Sequence, residues 1–183
     1  MNSPFLTGAR VYLRPLLEKD AQGPYPAWLN DADVCRHNGH HVFAYAPDQA
    51  AAYIRRVNDD PATLALAICL REDDCHVGNI ALSRIDWISR QADFAILMGD
   101  KTKWGKGYAR EASLLICRHG FDAMNLRRIT CGTSEENEAM QKLALSLGMT
   151  LEGRRRQAHY KNGRYADLLE YGLLREEFNA QSD

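Results

Sequence analysis

The sequence predicts a mixed α/β (α+β) fold, in which a mostly antiparallel twisted sheet is flanked by helices. Three observations predict it. Apolar runs of strand length follow one another in the first half, a strand–glycine loop–helix–strand–helix (βαβα) unit occupies the middle, and an Asn-Gly turn joins two strands near the end. No Pro/Gly/Ser-rich linker divides the 183 residues. Because this length is ordinary for one domain, we predict a single domain over residues 1–183.

The first half of the chain alternates predicted strands with helical segments. Residues 9–16 read as a strand, and residues 17–30 as a helix that glycine and proline interrupt. Pro47 opens a second helix, whose apolar residues recur at helical spacing. Three further strands are predicted at residues 63–70, 76–85 and 91–98. A polar turn at residues 71–74 makes a hairpin of the first two.

The second half contains the βαβα unit and a closing hairpin. A helix is predicted from about residue 108 to residue 124, followed by a short strand over residues 127–133. The next helix is expected to stop at Gly148, because glycine readily adopts the left-handed conformation that ends helices. Two strands at residues 151–160 and 166–174 form the closing hairpin, with an Asn-Gly turn between them.

Composition excludes several classes of function. The 24 acidic residues balance 23 basic ones, so the sequence lacks the basic excess of a nucleic-acid-binding protein. No apolar run reaches transmembrane length, and no charged N-terminus precedes an apolar segment, so we expect no membrane partner and a cytoplasmic location. The five cysteines lack zinc-site spacing and fit free thiols in a reducing compartment. No metal is therefore expected.

The segment at residues 103–109 (KWGKGYA) lies between a predicted strand and a predicted helix. Gly105 and Gly107 allow a tight turn and a close approach of the backbone to a ligand. The helix that follows starts with unpaired N–H groups and the positive end of its dipole, which suits a pyrophosphate. The dinucleotide-binding fingerprint would need a third glycine, where the chain has Arg110, and the Gly-Lys-Ser/Thr of a P-loop is absent.

This loop resembles the acetyl-CoA pyrophosphate loop of the GNAT acetyltransferase superfamily, and more narrowly of its RimJ/RimL-like branch. Further segments are similar in order and spacing: RVYLRP at 10–15, WLND at 28–31, HVGNI at 76–80, Asn137 before the helix that ends in LGM at 147–149, and GRYAD at 163–167. The resemblance covers about residues 9–176. It implies a GNAT-like fold, acetyl-CoA as co-substrate and an N-acetyltransferase activity. The cofactor-binding residues that it implies are Leu97, Met98, Trp104, Gly105, Lys106, Gly107, Tyr108, Ala109 and Asn137.

Acetyl transfer to an amine requires a polarised thioester carbonyl and the removal of one proton from the arriving ammonium group. The resemblance implies that the backbone N–H groups of Leu97 and Met98 align the pantetheine arm and bind the thioester oxygen. His40 and His41 lie in a segment that lines the acceptor pocket of related folds. A histidine there titrates near neutral pH, so either is a candidate base.

Asp93 is the first candidate for the general base. It lies in an otherwise apolar predicted strand, at a position where the family often carries a carboxylate. A carboxylate beside an apolar wall is a stronger base than one in water. The alternative is an ordinary strand residue that faces solvent or pairs with Arg84 or Arg90.

The second cofactor segment departs from the family pattern. Asn137 is expected to cap a helix, and the resemblance adds a hydrogen bond to the coenzyme or to an ordered water. Ala144 occupies the position where many relatives carry a tyrosine that reprotonates the coenzyme thiolate. The sequence therefore identifies no general acid.

Three functions agree with these residues. The first is acetyl transfer to the primary amine of a small molecule, such as an amino sugar or a nucleotide-linked amino sugar. The second is acetylation of a ribosomal or other protein N-terminus, and the third is a catalytically silent acyl-CoA-binding module, which the intact loop disfavours. A small molecule needs a closed pocket and a peptide an open groove, so the shape of residues 30–47 decides between the first two. The expected partner is an amine acceptor, and the expected state is a monomer or homodimer.

Overall fold

The computed structural model describes residues 3–179. The strands are β1 (Leu6–Thr7), β2 (Val11–Pro15), β3 (Leu64–Leu70), β4 (His76–Asp86), β5 (Gln91–Met98), β6 (Arg128–Ser134), β7 (Thr150–Lys161) and β8 (Arg164–Leu174). The helices are α1 (Tyr25–Leu29), α2 (Pro47–Asp59), α3 (Tyr108–Asp122), α4 (Glu138–Ser146) and α5 (Arg175–Asn179). Two short 3-10 segments, Glu18–Gln22 and Lys101–Lys103, precede α1 and α3.

The eight strands form one sheet in the order β1-β2-β3-β4-β5-β6-β8-β7. Neighbouring strands run antiparallel, apart from β5 and β6, which run parallel. A parallel pair needs a crossover connection, and α3 supplies it between these two strands. The predicted mixed sheet with a central βαβα unit is confirmed.

Three short elements were not predicted. β1 has two residues, α5 has five and the 3-10 segment Lys101–Lys103 has three, and all are too short to show a periodic apolar pattern. The predicted helix over residues 17–30 is divided into a 3-10 segment and α1, with Gly23 at the break. The first predicted strand is shorter at both ends than expected. These differences arise at element ends, where tertiary contacts decide the backbone conformation.

Each face of the sheet carries its own apolar core. The larger core packs the sheet against α3, with Ile116 and Phe121 fully buried. The smaller core packs the opposite face against α1 and α2, with Trp28 and Ile54 buried. Successive side chains of a strand point to opposite faces, which places functional groups on both sides of the sheet. Within residues 3–179, no helix has the length and apolar character needed to span a membrane.

The sheet opens between β5 and β6. These strands pair over only three positions, from Gln91 with Arg128 to Asp93 with Thr130. Beyond Asp93, β6 continues alongside β8, and no pairing is recorded on that side of β5 within the described range. Buried backbone amides require hydrogen-bond partners. The free segment of β5, residues 94–98, is thus available to an extended ligand.

Candidate active site

Two cavities meet at the free segment of β5. The larger, of about 730 Å³, is bordered by the glycine loop and the first turns of α3 and α4. The smaller, of about 190 Å³, lies on the side of the sheet that α1 and α2 cover. Asn38, Ile96 and Leu97 line both cavities. A ligand in one cavity can therefore approach a ligand in the other at β5.

The glycine loop has the backbone conformation that its residues predict. Gly105 and Gly107 have φ values of +71° and +83°, which L-residues with a side chain adopt only under strain. Gly107 is the N-cap of α3, and no side chain caps the N–H groups that follow it. A Cβ at Gly105 would meet nothing within 4 Å. The loop thus presents free N–H groups beside open space, the geometry of an anion site.

Two side chains, one of them in the loop itself, hold the shape of the loop. Arg10 donates from Nη1 to the carbonyl oxygen of Lys106 at 2.9 Å, and its guanidinium lies 5.0 Å from the ring centre of Tyr108. Trp104 donates from its indole nitrogen to the carbonyl oxygen of Met98 at 2.8 Å. Of the predicted loop residues, Lys106 does not line the larger cavity, since its carbonyl faces Arg10. The loop is thus tied to β2 and to the end of β5.

Charged side chains surround the larger cavity. Arg36, Lys101 and Lys103 contribute positive charge, and Lys103 begins the glycine loop. The carboxylates of Asp33, Glu136 and Glu138 also line the cavity. Lys101 forms ion pairs with Asp31 at 2.7 Å and with Asp33 at 3.3 Å. Basic groups beside free N–H groups favour phosphate oxygens. The residues present therefore fit the pyrophosphate of a coenzyme at this end of the cavity.

The register of β5 decides which of its amides face the opening. Gly99, the residue that follows β5, donates its N–H to the carbonyl oxygen of Val77 in β4. Hydrogen bonding alternates along an antiparallel pair, so the amide of Leu97 also points toward β4. The amides of Ile96 and Met98 point to the opposite side, into the gap. Of the two amides predicted to hold the thioester, that of Met98 faces the gap and that of Leu97 does not, and the amide of Ile96 faces the gap as well.

Asn137 lines the larger cavity and caps α4. Its side-chain oxygen accepts a hydrogen bond from the N–H of Met140 at 3.2 Å. The predicted cap is confirmed. The amide nitrogen of Asn137 is a separate group, so the cap leaves a donor for a ligand.

The cap and a coenzyme contact can be separated by substitution. We expect Asn137→Ala to lower the free energy of unfolding by about 1 kcal/mol, because the cap oxygen is lost. Asn137→Ser keeps a capping oxygen, so its stability should stay close to wild type while its acetyl-CoA affinity falls. Urea unfolding and coenzyme titration measure the two effects. A serine variant with wild-type affinity would limit Asn137 to the cap.

Asp93 lines neither cavity. Its carboxylate accepts a hydrogen bond from the Thr130 hydroxyl at 2.5 Å and forms an ion pair with Arg84. It lies three positions before Ile96 and four before Leu97, about 10 to 13 Å along an extended strand. Pairing with Arg84 was the alternative role given for this residue. The structure thus places the first candidate base away from the point where the cavities meet.

The two candidate histidines occupy different surroundings. His40 lines the smaller cavity, and its carbonyl oxygen accepts a hydrogen bond from Lys161 in the β7–β8 hairpin. Desolvation by the surrounding protein, together with Lys161, lowers the pKa of His40. The imidazole is therefore neutral at pH 7 and able to accept a proton. Both residues are exposed, but His41 has a φ of +62° and lines neither cavity.

The smaller cavity has aromatic walls that sequence analysis did not single out. Tyr25 and Tyr53 line it from α1 and α2, and burial is the main cause that raises the pKa of both phenols. Asn38, His40 and Asn79 supply its other polar groups, and the residues recorded along its wall include no carboxylate and no lysine or arginine. Tyr53 belongs to the apolar face of the second predicted helix, but the sequence does not show that Tyr25 lies beside it.

A buried network supports the wall at Asn79. Arg14 forms two hydrogen bonds with Asp20, at 2.7 and 2.8 Å, and both side chains are buried. The Nε2 nitrogen of His76 lies 2.8 Å from the side-chain oxygen of Asn79 and 3.0 Å from the carbonyl oxygen of Gly78. Both partners are oxygen atoms that accept hydrogen bonds, so Nε2 must carry the ring proton. The network therefore fixes the orientation of the Asn79 amide.

Ala144 lies fully buried in the larger core and lines neither cavity. A tyrosine-type acid is thus absent from this position. The hydroxyl groups that the two cavities do contain belong to Tyr108 in the larger cavity and to Tyr25 and Tyr53 in the smaller.

The sequence is similar to those of known proteins. A family model described as the acetyltransferase (GNAT) domain matches residues 10–150. The uncharacterized N-acetyltransferase p20 of Bacillus licheniformis is 29% identical over 172 residues, which cover 92% of this chain and 95% of that protein. The ribosomal-protein-serine acetyltransferase of Escherichia coli K12 is 28% identical over 104 residues, 57% of each protein.

Solved structures agree with the fold. The spermidine N-acetyltransferase of Vibrio cholerae, in complex with CoA and spermine, superposes with a TM-score of 0.86 at 22% identity, covering 94% of this chain and 99% of that one. The microcin C7 self-immunity acetyltransferase MccE, in complex with acetyl-CoA and AMP, gives 0.81 at 20% identity, covering 91% and 93%. The family match spans most of the sequence. The chain belongs to the GNAT acetyltransferase family and is an N-acetyltransferase.

Proposed function

We propose that this enzyme transfers the acetyl group of acetyl-CoA to the primary amine of a compact small molecule. The observation that carries the proposal is the meeting of the two cavities at Ile96 and Leu97. The larger cavity has the anion-binding loop, and the smaller has apolar and aromatic walls. The coenzyme in one and the amine in the other would bring their reacting atoms together at β5.

The coenzyme would be held by backbone groups more than by side chains. The N–H groups after Gly107 would bind the pyrophosphate, and the gap-facing amides of Ile96 and Met98 would bind the pantetheine arm and the thioester oxygen. When bound, acetyl-CoA supplies an activated acyl group. The amides of β5 are fixed by the sheet, so they need no reorganisation as negative charge develops on the oxygen.

His40 is the general base in this proposal. It is the residue of the smaller cavity that is neutral at pH 7 and ordinarily titrates near neutrality. A neutral imidazole can take the ammonium proton directly or through one water, which leaves the amine free to attack the thioester carbonyl. The N–C bond forms as the C–S bond breaks, coenzyme A leaves as its thiolate, and the second amine proton passes to solvent or to that thiolate. Asp93 is the alternative base, although its carboxylate is already paired with Arg84.

The lining of the smaller cavity, about 190 Å³ in volume, restricts the acceptor. Its walls are mostly apolar and aromatic, and Asn38, His40 and Asn79 supply the other polar groups. A sugar ring would bury several hydroxyl groups there, and burial of a hydroxyl group without a hydrogen-bond partner is unfavourable. We therefore propose a less polar amine than the amino sugar that sequence analysis suggested.

A protein N-terminus is the second candidate acceptor. A single terminal residue also fits the smaller cavity, and Lys161 brings the β7–β8 hairpin against the loop that carries His40. β7 is the edge strand of the sheet and is mostly exposed, so a peptide could pair with it. The similarity to a ribosomal-protein-serine acetyltransferase favours the same acceptor.

Coenzyme binding and acceptor class can be tested with the wild-type protein. Acetyl-CoA at one hundred times its Kd should stabilise the folded protein by about 2.7 kcal/mol, and thermal unfolding measures this. Thiol release, with mass analysis of the products, should then identify small primary monoamines as acceptors. The panel should also contain amino sugars, polyamines and peptides with free N-termini. Release with peptides alone would favour the second candidate, and no thermal shift would contradict coenzyme binding.

A further inference from the structure

Three alanines form a row across the floor of the smaller cavity. Ala65 of β3 lies opposite Ala81 of β4, and Ala81 lies opposite Ala95 of β5. All three line the cavity, so they point to the same face of the sheet. Adjacent strands are about 4.8 Å apart, and the row therefore spans about 10 Å, perpendicular to the strands. Methyl groups at three neighbouring positions leave a shallow trough in the sheet.

Exposure along the row gives the trough a direction. Ala65 is buried with 8% of its surface exposed, Ala81 is intermediate, and Ala95 is exposed. The closed end thus lies at β3 and the open end at β5. The open end is beside Ile96 and Leu97, where the cavities meet. An acceptor in the trough would have its amine at β5 and the rest of its chain directed toward β3.

The roof over the trough is apolar and aromatic. Leu16, Leu29, Tyr25 and Tyr53 line the cavity together with the alanines. A second ammonium group at the closed end would lose its water and find no carboxylate among the residues recorded on this wall. Burial of an unpaired charge is strongly unfavourable. The trough therefore favours an acceptor with one amine and an uncharged chain.

We infer that the row Ala65–Ala81–Ala95 determines acceptor specificity, and that it selects a primary amine on an unbranched, uncharged aliphatic chain. The inference rests on the proposed acetyl transfer to a small amine and names the substrate class. The chain lies along the row beneath the two tyrosines, and its length is limited by the closed end at Ala65. A branch would meet the sheet on one side or the tyrosine rings on the other.

The n-alkylamines test this directly. With saturating acetyl-CoA, kcat/KM should rise about fourfold for each added methylene from propylamine to pentylamine, the gain expected for a buried methylene. The rise should stop when the chain reaches the end of the row. The diamine 1,5-diaminopentane has the same length as hexylamine and one more charge, so it should react at least about tenfold more slowly than hexylamine.

Substitution of the central alanine completes the test. Ala81→Leu fills the middle of the trough and should abolish the rise with chain length, while the thermal shift with acetyl-CoA stays as in wild type. Ala81→Ser keeps nearly the same volume and should retain the rise. The retained coenzyme shift also shows that the leucine variant is folded.

The outcomes separate the inference from the proposed function. If wild type acetylates no small amine, whether or not it acetylates peptides, the proposed function itself fails. If it acetylates amines but prefers the diamine or a branched isomer, or if Ala81→Leu keeps the dependence on chain length, the alanine row does not set specificity. A rise with length that Ala81→Leu removes and Ala81→Ser keeps supports the inference.

Discussion

The substitution His40→Gln is expected to lower kcat at pH 7 by about 10²–10⁴, the range typical of a lost general base. Glutamine approximates the size of the ring and keeps a polar group, but it cannot accept a proton at this pH. Acetyl-CoA affinity should stay unchanged, because His40 lines the smaller cavity and not the larger one. Steady-state kinetics with a responsive amine and a separate coenzyme titration measure the two quantities.

The pH dependence distinguishes base catalysis from a packing defect. The pKa of His40 lies below its ordinary value near 6.5, so the wild-type base is active at pH 7 and is lost only as acid protonates it. The wild-type rate should therefore fall on the acid side of that value. In His40→Gln, the rate should instead rise steadily with pH, because only the free amine can react. A flat profile in the variant would contradict the assignment.

Asp93→Asn and His41→Gln are the matched controls. Asn keeps the size of Asp93 and removes its basicity, and His41 is an exposed neighbour of His40 that lines neither cavity. Both variants should retain most of the wild-type rate. If Asp93→Asn loses 10²–10⁴ of kcat and His40→Gln does not, then Asp93 is the base, in agreement with the first expectation from the sequence.

The second large effect is expected for Gly107→Val. At φ +83°, a β-branched residue is strained by at least about 1–2 kcal/mol, and its side chain would occupy the approach to the N-terminus of α3. A Cβ there would lie 3.2 Å from Arg10, which also supports the loop. Saturable acetyl-CoA binding should be lost at concentrations that saturate wild type. Calorimetric titration and the thermal shift both measure the loss.

Gly163→Val controls for backbone strain alone. Gly163 has nearly the same conformation, with φ +80°, and a Cβ at this position would meet nothing within 4 Å. It lies in the β7–β8 turn and lines neither cavity. This variant should be destabilised to a similar extent and should still bind acetyl-CoA. Equal affinity in Gly107→Val and wild type would place the pyrophosphate elsewhere.

Features with a local physical cause were predictable from the sequence alone. The strands and the longer helices follow from apolar periodicity, which depends only on the order of apolar and polar side chains within one segment. Gly105 and Gly107 predict a left-handed loop because few other residues adopt positive φ without strain. Asn137 predicts a helix cap because its side chain bonds to the backbone three residues later. The βαβα unit with its anion-binding loop needed no long-range information.

Features that depend on register and distance were decided by the tertiary structure. Apolar periodicity does not say which β5 amides face the gap, because the hydrogen-bond register between β5 and β4 decides which amides point toward β4 and which point away from it. It places Asp93 in an apolar strand but cannot measure the distance to the cavities or reveal the ion pair with Arg84. The alanine row exists only because three strands far apart in sequence align at Ala65, Ala81 and Ala95. Local propensities determine elements, whereas a site joins residues that only the packed sheet brings together.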